Sequence, residues 1–152
     1  MNLFEKYKDF NNFELRQAFY ESCSKNKVVY VKHLIENKNY NINISLDDYF
    51  GFRAACTHGS LDVLKYLFSN KESIPDIHSR NDSAFKSATR MQQFDIIQFL
   101  IFDLNIPKTE AINQFLLKNP NKIIDSMFNA RELNRQLKLE FDFLPIKKGF
   151  KY

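Results

Sequence analysis

Histidine and cysteine are the side chains of this sequence best suited to acid–base, nucleophilic or metal chemistry. The sequence holds three histidines, His33, His58 and His78, and two cysteines, Cys23 and Cys56. The histidines share no metal-ligand spacing with one another or with the cysteines. An active site needs acid, base and nucleophile groups that converge, and these histidines fall in three different predicted structural contexts. The sequence therefore predicts neither an enzyme nor a metal centre.

A search for phosphate-binding loops and for paired catalytic carboxylates also gives no support for an enzyme. The chain has only three glycines, and it carries no dinucleotide-binding, P-loop or zinc-protease motif. Asp47 and Asp48 form a carboxylate pair before a predicted helix. They are more simply explained as an N-cap with favourable helix-dipole charge than as catalytic groups. We therefore expect no bound cofactor.

The residues that organise the chain recur every 33 positions. The clearest unit, at 51–68, has the pattern of two short helices joined by a tight turn, and Phe52 and Cys56 share one face of its first helix. The same pattern stands at 84–101 and, more weakly, at 18–35. The sequence therefore predicts stacked helix–turn–helix units with equivalent core positions. One predicted core column is Phe19, Phe52, Phe85 and Ile112.

A helix–turn–helix unit with this period resembles the ankyrin repeat. The middle unit carries the likeness best, because its AACTHGSLDVLKYLF is similar to the family's two small residues, glycine, and acidic residue before an aliphatic pair. Segments 41–43 and 76–78 resemble the start of the family's β-hairpin. The family's Thr-Pro-Leu-His opening is absent, and Phe-Gly-Phe-Arg at 50–53 and Ser-Ala-Phe-Lys at 83–86 take its place. The resemblance implies an all-α, ankyrin-like helical-repeat solenoid with short hairpin loops.

The predicted solenoid is a single domain, 1–152, with three full repeats and a shortened capping repeat. The helices of the shortened repeat match those of the third repeat at an offset of 27 residues, so the part that is shortened is the hairpin loop. We place an N-terminal cap at 1–12, full repeats at 13–46, 47–79 and 80–107, a shortened repeat at 108–129, and a C-terminal helix and basic tail at 130–152.

The end of the chain departs from the repeat pattern. Asn119 is predicted to cap the last helix, with Pro120 at the first helical position. Leu139, Phe141 and Phe143 alternate with acidic residues, which predicts an extended segment. That segment either folds back over the last repeat or forms a partner-binding arm.

The turns inside the repeats fall 33 residues apart at Asn26, Gly59 and Gln92. Asparagine tolerates the left-handed conformation better than most residues, so the first turn is expected to survive the loss of glycine. The turn at Met91 and Gln92 is expected to be tighter or more helical than the others.

Cys23 and Cys56 occupy the same position in successive repeats, and Thr89 occupies the third. Stacked helices lie about 8–10 Å apart, whereas a disulfide needs Cα atoms within about 7 Å. We therefore expect small side chains packed between repeats and no disulfide.

Residues that repeat packing does not explain are the candidate partner contacts. They precede the turn inside each repeat, precede the core of each first helix, or stand in a hairpin. In the family these positions commonly contact a partner protein, and their residue types are usable at interfaces. The predicted partner-binding residues are Arg16, Lys25, Tyr49, His58, Arg80, Asp82, Arg90, Met91 and Lys118.

The charge of the chain bears on the class of partner. The net charge is +4 and the isoelectric point is about 9.0, with basic and acidic residues interspersed. We therefore expect another protein as partner, bound by a small adapter or inhibitor that is itself a monomer. The alternatives are a nucleic-acid-binding accessory protein that uses the basic residues at 147–151, or a subunit that assembles through its tail.

The chain shows neither a signal-peptide pattern nor an apolar run long enough to cross a membrane. We therefore expect a cytoplasmic protein without membrane contact. The abundance of Asn, Lys, Ile, Phe and Tyr suits an A/T-rich genome. Together with the divergent repeats, it would fit a viral or bacterial effector that acts in a host cell.

Overall fold

The computed structural model describes residues 3–69 and 74–143. Every regular element within those ranges is a helix, and the connections between repeats there are turns without strand pairing. The helices are α1 Leu3–Tyr7, α2 Asn12–Ser24, α3 Val28–Glu36, α4 Leu46–His58, α5 Leu61–Ser69, α6 Ser79–Arg90, α7 Phe94–Gln98 with a π-helical turn at Phe99–Asp103, α8 Glu110–Lys118, and α9 Lys122–Phe143.

The helices form two layers. Helices α2, α4, α6 and α8 contact one another in sequence and make the first-helix layer, while α3 contacts α5 in the second-helix layer. The predicted column of Phe19, Phe52, Phe85 and Ile112 is buried. An all-α stack of repeated helix pairs is therefore confirmed, and its core lies between the two layers.

The turns inside the three full repeats share one geometry. Each has a left-handed residue, with φ of 52° at Asn26, 74° at Gly59 and 55° at Gln92. The next amide donates to a carbonyl five residues earlier, as in a Schellman motif. The prediction of a tighter third turn is therefore wrong, because Gln92 adopts the conformation that glycine supplies in the second repeat. The three hydrogen bonds are Lys27 N to Ser22 O, Ser60 N to Ala55 O and Gln93 N to Ala88 O, at 3.0, 2.9 and 2.9 Å.

The first turn also fastens the first repeat to the second. The Asn26 side-chain oxygen accepts from the Val63 amide at 3.2 Å, and its amide nitrogen donates to Asp62 at 2.9 Å. The Asn26 backbone amide donates to the Ser60 hydroxyl oxygen at 3.1 Å, and that hydroxyl donates to Ser24 O at 3.2 Å. One asparagine therefore satisfies an otherwise unpaired amide at the start of α5 in the next repeat.

Two first helices open with a left-handed turn of three residues. Residues 47–49 have φ between 52° and 59°, and so do residues 80–82, one period later. The prediction that Asp47 and Asp48 cap a helix is therefore wrong. In this turn the Asp47 carboxylate accepts from the Tyr20 hydroxyl at 2.8 Å instead of from helix amides.

Cationic side chains hold these turns in place. Left-handed backbone costs a residue other than glycine about 1–2 kcal/mol, so the turns depend on added hydrogen bonds. The Arg53 guanidinium donates to the carbonyls of Asp47 and Asp48 at 2.8 and 2.9 Å. Lys86, the equivalent residue one period later, donates to the carbonyl of Asn81 at 2.6 Å.

The first helix of the chain covers one end of the stack. Tyr7 in α1 is buried and packs edge-to-face against Tyr30 and Tyr40, with ring centroids 6.4 and 6.5 Å apart. This packing is the arrangement expected of an N-terminal cap.

The last helix differs from the prediction at both ends. Asn121, not Asn119, is its N-cap, because the Asn121 side-chain oxygen accepts from the amides of Ile123 and Ile124 at 3.1 and 3.2 Å. Pro120 therefore stands before the cap instead of inside the helix. The extended segment predicted from residue 139 is also wrong as far as residue 143, because α9 runs on to that point. The predicted basic tail at 144–152 lies outside the described residues.

Candidate protein-binding face

The structure spreads the nine predicted contact residues over several surfaces. Arg90 and Lys118 line one groove, Arg80 lines a second, and Arg16 lines a smaller cavity. The exposed residues at the turns are Lys25, His58 and Met91, and Tyr49 is half-buried.

The groove at Arg90 and Lys118 lies between α6 and α8 and encloses about 490 Å³. We call it the basic groove. Its apolar floor includes Phe115, and the Arg90 guanidinium stands 5.0 Å above the centroid of that ring. Its lining residues are Asn81, Lys86, Arg90, Glu110, Ala111, Gln114, Phe115 and Lys118.

Positive charge predominates in the basic groove, which has three cations and one carboxylate. That carboxylate, Glu110, accepts from the Gln114 side-chain amide at 2.7 Å. Within the described part of the chain, neither Arg90 nor Lys118 forms an ion pair. These two cations therefore remain available to an acidic group from outside.

The groove at Arg80 is largely satisfied by its own residues. It encloses about 500 Å³, and Arg80 donates to the Asp48 carboxylate at 2.8 Å. Burial and the hydrogen bond to Asp47 raise the pKa of Tyr20 to about 12. Burial and the neighbouring Arg80 lower the pKa of Arg53. The polar groups of this groove therefore form hydrogen bonds that hold the left-handed turn.

Asp82 is not available as a partner contact, contrary to the prediction. Asp82 is only 4% exposed, because the left-handed turn directs its side chain inward. One carboxylate oxygen lies 2.5 Å from His78 Nδ1, and the other accepts from the Thr109 hydroxyl at 2.5 Å. Asp82 therefore joins the third repeat to the loop before α8.

Lys25 also has an internal partner, although an exposed one. It forms an ion pair with Glu21 at 2.5 Å, one turn back along α2. That hydrogen bond and the lysine charge lower the pKa of the Glu21 carboxyl. An exposed pair of this kind contributes little to stability.

The two cysteines are free, buried thiols, as predicted. Burial raises the pKa of Cys23 from its ordinary value of 9.0 to about 12, and burial also raises the pKa of Cys56. The thiolate is the nucleophilic form of cysteine. Neither thiol is therefore suited to nucleophilic chemistry in the folded chain.

The buried thiols predict a loss of stability at high pH. Unfolded thiols ionise near 9.0, while the folded ones stay protonated to a higher pH. Above pH 9 the native state therefore binds more protons than the unfolded state does. Each thiol then lowers the free energy of unfolding by about 1.4 kcal/mol per pH unit. We expect the free energy of unfolding, measured by urea titration, to fall by about 2–3 kcal/mol between pH 8 and pH 10. A Cys23→Ala/Cys56→Ala variant should lose most of that fall, and an equal fall in the variant would contradict the assignment.

Sequence reasoning missed part of the basic groove. Lys86 could have been found from the repeat pattern, because it is a basic residue one period after Arg53 and lies on the same helix face. Glu110, Gln114 and Phe115 were not predicted as contacts, because the offset of 27 residues aligns them with Ser83, Ser87 and Ala88, none of which is in the predicted contact set.

Residues 52–101 match the family model described as ankyrin repeats (many copies). The matched stretch runs from the first helix of the second repeat to the second helix of the third. This match supports the ankyrin-repeat character of residues 52–101 that the sequence predicted. No significant match was found among curated proteins or among solved structures.

Proteins of this family generally bind other proteins and are typically non-catalytic. No helix within the described ranges is long and apolar enough to cross a bilayer.

Proposed function

We propose that this protein is a non-catalytic binding module that takes an acidic segment of a partner protein in the basic groove. The observation that carries the proposal is the juxtaposition of Lys86, Arg90 and Lys118 around the buried ring of Phe115. Cations beside an apolar floor suit a segment that offers carboxylates next to an apolar side chain.

The proposed binding also suggests how the protein would act. A protein that only binds acts by occupying the surface of its partner, so we propose that this protein is an adapter or an inhibitor. Met91, exposed at the turn that follows Arg90, would extend the contact beyond the groove. The cytoplasm of the native or host cell remains the proposed site of action.

The experiment compares two charge reversals of equal size. Arg90→Glu/Lys118→Glu changes the basic groove, and Arg135→Glu/Lys138→Glu changes exposed positions on α9. Each tagged protein is used to capture partners from native cells in the presence of nuclease. We expect one protein in near-equal amount with wild type and with the α9 variant, and at least about tenfold less with the groove variant.

The other outcomes are equally informative. A partner kept by the groove variant and lost by the α9 variant would place binding on the last helix and overturn the proposal. Recovery that disappears with nuclease for all three proteins would favour the alternative, a nucleic-acid-binding accessory protein.

A further inference from the structure

The two halves of the last helix, α9, have different surroundings. The first half packs against the π-helical turn at Phe99–Asp103, and the guanidinium of Arg131 donates to the carbonyl of Ile106. From there to residue 140 every side chain is exposed, and no hydrogen bond or ion pair joins residues 132–140 to another described element. Isolated helices shorter than about 12–15 residues are marginal in water. The second half of α9 would therefore be stabilised by packing against another surface.

One face of α9 has the spacing of a coiled coil. We call this face the α9 stripe, and it consists of Ile123, Ser126, Ala130, Leu133 and Leu137. These residues follow one another at alternating steps of three and four, which keeps them on one side of the helix. The exposed fraction is 55% for Ile123, 55% for Leu133 and 42% for Leu137. The small residues of the stripe thus lie in the first half of α9, and its leucines lie in the second half.

A groove lies beside the first half of the α9 stripe, where the small residues stand. It encloses about 440 Å³. A cavity of about 150 Å³ holds a benzene ring, so this groove has room for two leucine side chains. Leu133 and Leu137 have the right size but lie further along the same helix, so only those of a second copy can enter the groove. Its lining residues are Phe102, Lys122, Ile123, Ser126, Met127 and Ala130.

We propose that α9 pairs antiparallel with α9 of a second copy of this chain. A two-fold axis near residues 131 and 132 sets Leu133 opposite Ala130 of the second copy, and it sets Leu137 opposite Ser126 of that copy. Each pair of leucines then fills a groove beside Phe102, and each copy supplies both a groove and the leucines that fill one. Large side chains that face small ones interdigitate well. The resulting dimer differs from the monomer that the sequence predicts.

The charges of α9 favour the antiparallel arrangement. Lys122 and Glu140 are about five helical turns apart, so they lie on the same flank of the stripe at opposite ends. Neither forms an ion pair within the described ranges. Antiparallel pairing brings Lys122 of each copy to Glu140 of the other, whereas parallel pairing would set like charges together. Four basic and four acidic residues leave α9 without net charge, so two copies do not repel.

The test is sedimentation equilibrium of the full chain at a series of protein concentrations. Interfaces that bury less than about 1,200 Å² are weak, and one pair of helices belongs to this class. We therefore expect a dissociation constant on the order of 10–100 µM, and the series spans about 5 to 500 µM. The average mass should rise from 18.1 kDa toward twice that value. A mass that stays at 18.1 kDa throughout would overturn the proposal.

Two leucine-to-lysine variants of α9 form a matched pair. Leu133→Lys puts a charge into the proposed contact and should raise the dissociation constant at least about tenfold. Leu139 is 48% exposed on the opposite side of the helix, so Leu139→Lys should dimerise as wild type does. Circular dichroism reports whether each variant is folded. An equal loss from both variants, or a dimer that Leu133→Lys keeps, would overturn the proposal, and the second result would favour assembly through the tail.

A charge swap tests the direction of the helices. Lys122→Glu sets two carboxylates together at each end of the pair and should weaken dimerisation by about three- to tenfold. Lys122→Glu/Glu140→Lys restores opposite charges and should recover the wild-type dissociation constant. A double variant no better than the single one would overturn the antiparallel pairing. The basic groove lies between α6 and α8 and takes no part in this contact, so partner capture and dimerisation can fail separately.

Discussion

Truncation of Phe52 to alanine is expected to lower the free energy of unfolding by about 3–5 kcal/mol. Phe52 is 2% exposed and lies in the core column of the second repeat, where its ring meets that of Phe68 edge-to-face at 5.6 Å. The deletion leaves a cavity between the two helix layers, and the neighbouring repeats hold those layers apart. Urea unfolding followed by circular dichroism measures the change.

The matched control is Phe13→Ala, which removes the same atoms from a side chain that is 64% exposed on α2. Exposed substitutions away from special contacts change stability by about 0.5 kcal/mol or less. A similar loss from both variants would mean that the column of Phe19, Phe52 and Phe85 is not the core of the stack.

Replacement of Asp82 by alanine is expected to lower the free energy of unfolding by at least about 4 kcal/mol. The change removes charge-assisted hydrogen bonds to His78 and Thr109, each worth about 1.5–3 kcal/mol in favourable cases. It also places alanine at φ 59°, where a side chain without a local hydrogen bond is disfavoured by about 1–2 kcal/mol. Chemical denaturation at pH 7 measures the loss.

Two further variants decide what Asp82 does. Asp82→Asn keeps the shape and one acceptor oxygen, so it should lose clearly less than Asp82→Ala. Arg90→Ala changes an exposed residue that the sequence placed in the same predicted contact set, and it should leave stability within about 0.5 kcal/mol. If Asp82→Ala is as stable as wild type and yet fails to capture a partner, Asp82 is a contact residue after all.

The repeat architecture could be predicted from the sequence because it depends on local spacing. Apolar residues three and four apart define helix faces, and the 33-residue period fixes which faces stack. The core column and the buried, unpaired thiols follow from that register alone. The likeness to ankyrin repeats followed from the same residues, since the family model matches residues 52–101, where the repeat pattern is clearest.

The candidate site could be predicted only in part. Arg90 and Lys118 were assigned to a partner-binding face, and the structure brings them to one groove. The basic groove as a whole could not be foreseen, because its depth comes from how α8 packs on α6. Arg16 was also predicted as a contact, and the structure places it at a separate, smaller cavity.

What the sequence by itself determined was therefore the order, spacing and buried faces of the helices. What only the tertiary structure decided was the direction of individual polar side chains. Asp47 and Asp48 have the types of helix caps, and Asp82 has the type of a surface contact. Left-handed turns at 47–49 and 80–82 redirect all three, although Tyr49 and Arg80 have no intrinsic preference for that conformation. Arg53 and His78 hold the turns from nearby positions in the sequence, whereas Tyr20 and Thr109 belong to neighbouring repeats and reach the turns only when the repeats stack.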